Sequence, residues 1–343
     1  MDLVTQITLG AAVGQFGYQR QLGKRAIVWG GIGGLIPDLD VVVKMMSDPY
    51  AEILYHRGVT HSLFFGPVVG SLLGYLLWRY YGSHREHLRV WVGLMIAALI
   101  THPLLDVMTV YGTQLLAPFS DHRFVFSAIP IVEPVYTVPL ILCNILGLTR
   151  GKRRPVLNQV VAGVTLLLTT CYLFLGWAIN EKAVTFVEKQ LNHEHVAAEK
   201  VNVYTTMFQL PLRRVVVHTP SEYWIGLVSM WHLRPVEWTK FPKVPDVLRE
   251  KFEQTRDFHI YDWFTSGDYG YIAETDGENT LLTMTDLRYG FRNGSLLGLW
   301  GLRAHVNDKG EILSDITRAG IDRGKMMKRF LDVKDIFSLA FSK

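Results

Sequence analysis

The sequence predicts a polytopic α-helical membrane domain of about six hydrophobic segments, followed by a soluble α+β domain. The chain of 343 residues is 49% hydrophobic and 19% charged, whereas soluble proteins carry about 25% charged residues. The long apolar runs are confined to residues 1–180. Residues 181–343 instead alternate β-rich runs with amphipathic stretches, separated by turn dipeptides. We therefore expect a transmembrane domain at 1–180 and an extracytoplasmic α+β domain at 181–343.

The apolar segments of the first domain vary in length, and a spanning helix needs about 20 residues. The six candidates are residues 3–17, 26–37, 62–79, 90–110, 131–148 and 156–179. The second is too short alone, so either its helix continues through Asp38 and Asp40 to about Met46, or it forms a re-entrant or half-buried element. In the first segment, Gly10 and Gly14 form a G-x-x-x-G pair, which permits close helix packing.

The basic residues predict the orientation in the membrane. Ten Lys and Arg lie in loops 18–25, 79–89 and 150–154, against three in the alternate segments 38–61 and 109–133. Since basic loops face the cytoplasm, the N-terminus and the C-terminal domain are expected outside it. The apolar segments and the charged loops together predict a multi-pass protein of the inner (plasma) membrane. The N-terminus has no basic region before its apolar run, so no cleavable signal peptide is expected.

Several functional classes find no support in the sequence. The net charge of +4 is small, and no basic cluster is interleaved with aromatic residues, so we expect no nucleic-acid partner. The expected partners are membrane lipids and a lipid-like or anionic substrate. Cys143 and Cys171 both lie in apolar segments and are expected to be free thiols. No nucleotide-binding fingerprint or nucleophile elbow is present.

Acids and histidines are concentrated at the ends of the apolar segments, around the stretch His56-Arg57-Gly58-Val59-Thr60-His61-Ser62. Ionisable groups at such positions are costly and tend to mark a function. We predict that they bind one or two divalent ions. The predicted metal ligands are Asp38, Asp40, His56, His61, His102 and Asp106.

The spacing of these residues favours a shared site. His102 and Asp106 are four apart and so share one helix face, where they form either a ligand pair or a structural hydrogen bond. Mixed nitrogen and oxygen ligands suit Zn, Mn or Fe. Asp38 and Asp40 would point to the same side in an extended or turn conformation, but not in a helix. Gly58 predicts a turn before His61.

Three further residues are predicted to act in catalysis. The guanidinium of Arg57 matches the oxygens of a phosphate or carboxylate, so it is expected to hold an anionic substrate group, or else to pair with Asp38 or Asp40. Asp121 or Glu133 would supply a carboxylate for proton transfer or for support of a ligand.

The order and spacing of these blocks resemble the YdjM-like family of inner-membrane proteins assigned as metal-dependent hydrolases. The resemblance covers residues 1 to about 140. The matching blocks are Met1-Asp2-Leu3-Val4-Thr5-Gln6, Pro37-Asp38-Leu39-Asp40, the stretch from His56 to Ser62, Thr101-His102-Pro103-Leu104-Leu105-Asp106, Tyr111-Gly112-Thr113-Gln114 and Pro118-Phe119-Ser120-Asp121. Many members carry His where this chain has Gln6, and an Asp-Pro pair where it has Glu133-Pro134.

The resemblance implies hydrolysis, and the depth of the predicted site points to a lipid-linked or membrane-proximal ester at the outer face of the membrane. Two alternatives remain open. The same groups could form the ion site of a transporter or metal-handling protein. The chain could also be a membrane scaffold whose outer domain binds a partner.

Overall fold

The computed structural model describes residues 1–45, 48–81, 87–150, 154–206, 209–290, 296 and 298–319. Three of the basic residues counted for orientation, Arg85, Lys152 and Arg153, lie outside the described residues, as does the predicted turn at Asn293-Gly294. The chain divides into two compact units between Ala178 and Ile179, called unit 1 and unit 2 below.

Unit 1 is helical, and its second helix continues through Asp38 and Asp40, as in the first of the two alternatives predicted for this segment. This helix, α2 (Lys24–Leu35), passes directly into a 3-10 helix at Ile36–Met45, which carries Asp38 and Asp40. A second 3-10 helix, Val59–His61, follows the turn at Gly58. The α-helices are α1 Leu3–Leu22, α2 Lys24–Leu35, α3 Ala51–Tyr55, α4 Phe65–Tyr80, α5 Leu88–Asp106, α6 Pro134–Arg150 and α7 Pro155–His193, the last of which continues into unit 2.

Fewer of these helices could cross a membrane than the sequence predicts. In the described part of the chain, three are long and apolar enough, namely Lys24–Val43, Leu88–Asp106 and Pro155–His193. A fourth candidate span is a bent pair of helical segments, which counts if the two form one span. The pair is Ala51–His61 and Phe65–Tyr80, and its bend is 66°. Helix α6 is apolar but shorter, and α1 carries inward-facing glutamines that lower its hydropathy. The described structure therefore has three or four candidate spans instead of about six.

Helices α1 and α2 touch backbone to backbone through small residues. A Cβ atom at Gly10 would lie 2.3 Å from the carbonyl oxygen of Gly30, and one at Gly14 would lie 2.1 Å from that of Ala26. The G-x-x-x-G pair thus lies at a helix contact, as its spacing predicts. Another glycine stripe brings α4 equally close to α5, where a Cβ at Gly74 would lie 2.4 Å from the Cα of Val92.

Unit 2 contains two four-stranded antiparallel sheets with helices, in agreement with an α+β domain. The sheet orders are β1-β2-β3-β4 and β5-β6-β7-β8. The strands are β1 Lys200–Thr206, β2 Gln209–His218, β3 Glu222–Ser229, β4 Thr239–Pro242, β5 Tyr269–Asp276, β6 Asn279–Asp286, β7 Gly301–Val306 and β8 Thr317–Ala319. Helices α8 Asp246–Glu253 and α9 Arg256–Thr265 connect the two sheets in the chain.

A buried carboxylate links elements of unit 2. Asp268 follows α9 and accepts hydrogen bonds from the hydroxyl of Tyr204 and from Nε2 of His218, the latter at 2.6 Å. Burial alone would raise the pKa of Asp268, but the hydrogen bond and charge of His218 outweigh it, so the pKa lies below its usual value. The ionised form of Asp268 therefore stabilises the folded unit.

We expect Gly10→Ala to lower the free energy of unfolding by about 1–3 kcal/mol, because the added methyl group overlaps the backbone of α2. At Gly17, on the same helix, an added methyl group would meet no atom within 4 Å. Gly17→Ala should therefore stabilise the helix by up to about 1 kcal/mol. Thermal unfolding of the detergent-solubilised variants measures both effects, and equal stability of the two would contradict the close contact.

We expect Asp268→Asn to lower the unfolding free energy of unit 2 by about 1–3 kcal/mol at neutral pH. Because the folded pKa is depressed, the wild-type advantage is present above the unfolded pKa of about 3.9 and is lost as the pH falls through the folded value. Thermal unfolding of both proteins across an acid pH series tests this.

The matched control for that series is Asp276, whose carboxylate makes an exposed pair with His305 at 2.8 Å. Because exposed pairs contribute little, Asp276→Asn should change stability by less than about 1 kcal/mol. An equal loss in both variants would show that burial does not strengthen the Asp268 pair.

Candidate metal centre

Three separate segments of unit 1 bring four ligand-type side chains together. The first 3-10 helix supplies Asp38, the second supplies His61, and α5 supplies His102 and Asp106. One ligand atom from each residue lies within 4.8 Å of all the others, so the group could hold a metal ion. The side chains of His61, His102 and Asp106 are fully buried, and that of Asp38 is 10% exposed.

The distances within this group suit a small divalent ion. Nε2 of His61 lies 3.1 Å from Nε2 of His102 and 3.3 Å from both Asp38 Oδ1 and Asp106 Oδ2. Nε2 of His102 lies 3.5 Å from Asp38 Oδ1 and 3.6 Å from Asp106 Oδ2. Tetrahedral ligands at bond lengths of about 2.0–2.2 Å are separated by about 3.3–3.6 Å. Five of the six separations are therefore close to those of a four-ligand site.

The hydrogen bonds of both histidines direct a lone pair toward this point. Nδ1 of His102 lies 2.6 Å from the carbonyl oxygen of Gly34, so in the neutral ring Nδ1 carries the proton and Nε2 does not. Nδ1 of His61 lies 3.0 Å from Oγ1 of Thr60 and 3.3 Å from Oδ2 of Asp40. In the neutral ring of His61, the proton is therefore also on Nδ1 and not on Nε2. With both rings in this tautomer, two lone pairs would meet at 3.1 Å, an arrangement that a shared cation stabilises.

Asp106 completes the group with one bound and one available oxygen. Its Oδ1 accepts hydrogen bonds from the Met1 amino group and, at 2.9 Å, from Nε2 of Gln6. Its buried Oδ2 accepts no hydrogen bond and faces the two imidazole nitrogens. Since an unsatisfied buried carboxylate oxygen is costly, the donor set fits a divalent cation. Sequence reasoning did not assign Gln6 this supporting position.

Asp40 and His56, also predicted as ligands, lie beside the four-residue group and are not part of it. Oδ1 of Asp40 is 2.7 Å from Nδ1 of His56, and its Oδ2 accepts hydrogen bonds from Thr60 and from the backbone of Arg57. Asp38 and Asp40 thus approach His61 from opposite sides, at Nε2 and Nδ1. A carboxylate on the far nitrogen of a ligating histidine fixes the ring and its tautomer.

Arg57 pairs with a different acid from those expected. Its side-chain Nε lies 3.2 Å from Oδ2 of Asp106, outside hydrogen-bond geometry, and its Nη1 donates to Thr109 at 3.0 Å. The pairing with Asp38 or Asp40 suggested by the sequence is limited to the backbone N–H bond to Asp40. Arg57 has φ of 61°, a strained conformation for a residue with a side chain. The guanidinium therefore sits beside the ligand group, buried against the ring of Tyr111.

The two carboxylates predicted for proton transfer occupy other positions. Asp121 is exposed in the loop before α6. Glu133 is buried, and its Oε1 accepts a hydrogen bond from the backbone of Val135, so it caps the start of α6. Neither residue belongs to the metal-capable group found among the described residues.

Comparison with known proteins places the chain in a family. The model of the YdjM inner membrane protein family matches residues 1–182. The chain belongs to this family. Family membership and the apolar helices together make it a membrane protein.

Two relatives of this YdjM-family chain differ in how much of it they match. The uncharacterized protein YfhP of Bacillus subtilis is 24% identical over 303 residues, which cover 84% of this chain and 87% of YfhP. The inner membrane protein YbcI of Escherichia coli is 34% identical over 122 residues, 34% of this chain and 69% of YbcI. No solved structure matches the chain.

We expect purified wild-type protein to carry about one Zn, Mn or Fe ion per chain, and His102→Ala and Asp38→Ala to lose it, because each removes a ligand. Elemental analysis of the detergent-purified proteins measures the content. The control is His122→Ala, since His122 is an exposed histidine of the same unit. Equal metal in wild type and His102→Ala would rule the centre out.

Proposed function

We propose that this protein is a membrane-bound, metal-dependent hydrolase that acts on a lipid-linked or membrane-proximal ester, such as a phosphoester, at the outer face of the membrane. The observation that carries the proposal is the buried meeting of two imidazole nitrogens with two carboxylates at ligand spacing. When bound there, a divalent ion supplies Lewis acidity and makes water nucleophilic near neutral pH.

The protein's own groups hold and orient this centre. Asp38, His61, His102 and Asp106 are the proposed ligands. Asp40 and the carbonyl of Gly34 keep the two imidazole rings in the ligating tautomer. Gln6 holds Asp106 so that Oδ2 faces the centre. Of the six acids and histidines predicted as ligands, His56 has the most exposed side chain, at 22%.

Arg57 is the proposed recognition group for an anionic substrate. Its guanidinium lies beside Asp106, next to the ligand group. A phosphate oxygen at the centre would meet this positive charge, and guanidinium geometry matches two such oxygens. Asp121 and Glu133 remain the proposed carboxylates for proton transfer, outside the four-residue ligand group.

A lipid-like substrate is favoured by the side chains that flank the ligands. Leu39 follows Asp38 and is 57% exposed, while Val59 and Phe64 lie within three residues of His61 and are 54% and 45% exposed. The segments that supply buried ligands therefore also present apolar surface, and exposed apolar surface favours contact with a lipid-like molecule. The outward orientation of the site and of unit 2 rests on the distribution of basic residues.

We expect purified protein with added Zn or Mn to hydrolyse isoprenoid or glycerolipid phosphoesters in mixed micelles. His61→Ala and Asp106→Ala should reduce the rate by about 100-fold or more, since several kcal/mol of charge stabilisation are lost. Arg57→Lys should mainly raise KM, because an ammonium cannot make the paired contacts of a guanidinium.

Chelation followed by return of the metal is the control for this assay, and His122→Ala is the matched variant. Wild-type rates in His61→Ala and Asp106→Ala would place any activity elsewhere. Metal-dependent uptake into proteoliposomes without hydrolysis would instead favour the metal-handling alternative.

A further inference from the structure

Several helices of unit 1 meet at the end that is opposite the candidate metal centre. Helices α1 and α2 run antiparallel across their glycine contact, and so do α4 and α5. The indole N–H of Trp29 on α2 donates to the hydroxyl of Tyr81, the residue after α4, at 3.0 Å. Gln19 near the end of α1 donates to the carbonyl of Gly147 near the end of α6 at 2.9 Å. The ends of α1, α4 and α6 and the starts of α2 and α5 therefore share one end of the unit.

Exposed basic side chains gather at this end, which is called the basic end below. They include Arg20, Lys24, Arg25, Arg79, Arg89 and Arg150. In the described part of the chain, none of these six forms an ion pair with a carboxylate. The acids that the structure describes in unit 1 belong to the segments at the opposite end, as Asp38 and Asp106 do. The basic end therefore carries positive charge that no described side chain neutralises.

An aromatic stack holds the guanidinium of Arg25. Its Cζ lies 4.3 Å from the centre of the Tyr81 ring. The Tyr81 ring stacks in turn on the buried ring of Trp91, with the centres 5.1 Å apart and the planes within 2° of parallel. A guanidinium that stacks through its flat face keeps its N–H groups in its own plane, where they can bond to oxygens. Arg25 is therefore already oriented to bind a group such as a phosphate.

Two candidate membrane spans begin at this stack. Arg25 is the second residue of the span Lys24–Val43, and Trp91 is the fourth residue of the span Leu88–Asp106. The ends of a spanning helix lie where the hydrocarbon core, about 30 Å thick, meets the lipid head groups. Tryptophan and tyrosine are enriched at this level of a membrane. The guanidinium of Arg25 is therefore expected at the depth of the lipid phosphates.

We propose that Arg25, held on the stack of Tyr81 and Trp91, binds the phosphate group of an anionic phospholipid, and that the neighbouring Lys24 adds a second positive charge. The phosphate of a phospholipid has two oxygens without an ester bond, which match two parallel N–H groups of a guanidinium. Basic side chains at the ends of membrane helices attract anionic head groups. The site lies away from the proposed metal ligands, so it does not depend on the proposed hydrolysis.

Binding of phosphatidylglycerol to the detergent-purified, full-length protein tests this site. Native mass spectrometry measures the bound lipid at increasing lipid concentration, and phosphatidylcholine with the same acyl chains is the zwitterionic comparison. Arg25→Gln removes the guanidinium, and Tyr81→Leu removes the ring beneath it without a change of charge. The matched control is Arg150→Gln, which removes the same charge at the same end. In the described structure, Arg150 contacts no aromatic ring.

We expect the wild-type protein to bind phosphatidylglycerol about 10-fold more tightly than phosphatidylcholine. Arg25→Gln should weaken the binding of phosphatidylglycerol by about 5- to 10-fold, and Tyr81→Leu by about 3-fold, because the stacked orientation is lost. Arg150→Gln should weaken it by less than about 2-fold, since this side chain adds only to the general positive charge.

Equal losses in Arg25→Gln and Arg150→Gln would overturn the site, because the charge of the basic end would then act without a specific position. Displacement of the lipid by soluble glycerol phosphate would also overturn it, since the ligand would then be a free phosphate. If Arg25→Gln does not purify as a single folded species, Arg25→Lys replaces it and keeps the charge. Unchanged binding in Arg25→Lys would contradict the role of the planar guanidinium.

Discussion

The buried approach of two imidazole nitrogens and two carboxylates is the constraint on which unit 1 depends. Nε2 of His61 and Nε2 of His102 lie 3.1 Å apart, and the unbonded Oδ2 of Asp106 faces both. Such a group is unfavourable in a protein interior unless positive charge balances it. The Met1 amino group and the guanidinium of Arg57 supply part of that charge beside Asp106. A divalent ion would satisfy all four groups at once, and the four residues could hold one.

The helix packing of unit 1 serves the same centre. Gly34 lies where α2 meets α1, so close that a Cβ there would be 2.4 Å from the carbonyl oxygen of Gln6. The carbonyl of Gly34 holds the ring of His102, and the side chain of Gln6 holds Asp106. The small residues that let the helices approach therefore also set the positions of two proposed ligands. A substitution that changes how α1 packs on α2 at Gly34 should therefore also change the orientation of His102 and Asp106.

Much of the architecture was predictable, and the difference in the number of candidate spans has a clear origin. Apolar run length located most helices, and the turn dipeptides marked the α+β region. The same criterion gave about six segments where the described helices offer three or four candidate spans, because it also counted the short helix α6 and helix α1, in which Gln6, Gln15 and Gln19 are buried against neighbouring helices. Hydropathy along a chain records how apolar a segment is, but not which neighbour will satisfy its polar groups.

For the candidate site, the residue types and local spacings selected the four residues that meet in the structure, together with five that lie outside this group. Acids and histidines at segment ends, and the four-residue spacing of His102 and Asp106, pointed to a metal. Only the tertiary structure shows which of these residues meet in the four-residue group and which lie beside it. The 3-10 helix turns Asp38 and Asp40 to opposite nitrogens of His61, and the left-handed backbone at Arg57 directs its side chain to Asp106. Contacts between residues far apart in the chain depend on how the helices pack, and spacing along a single segment carries no record of that packing.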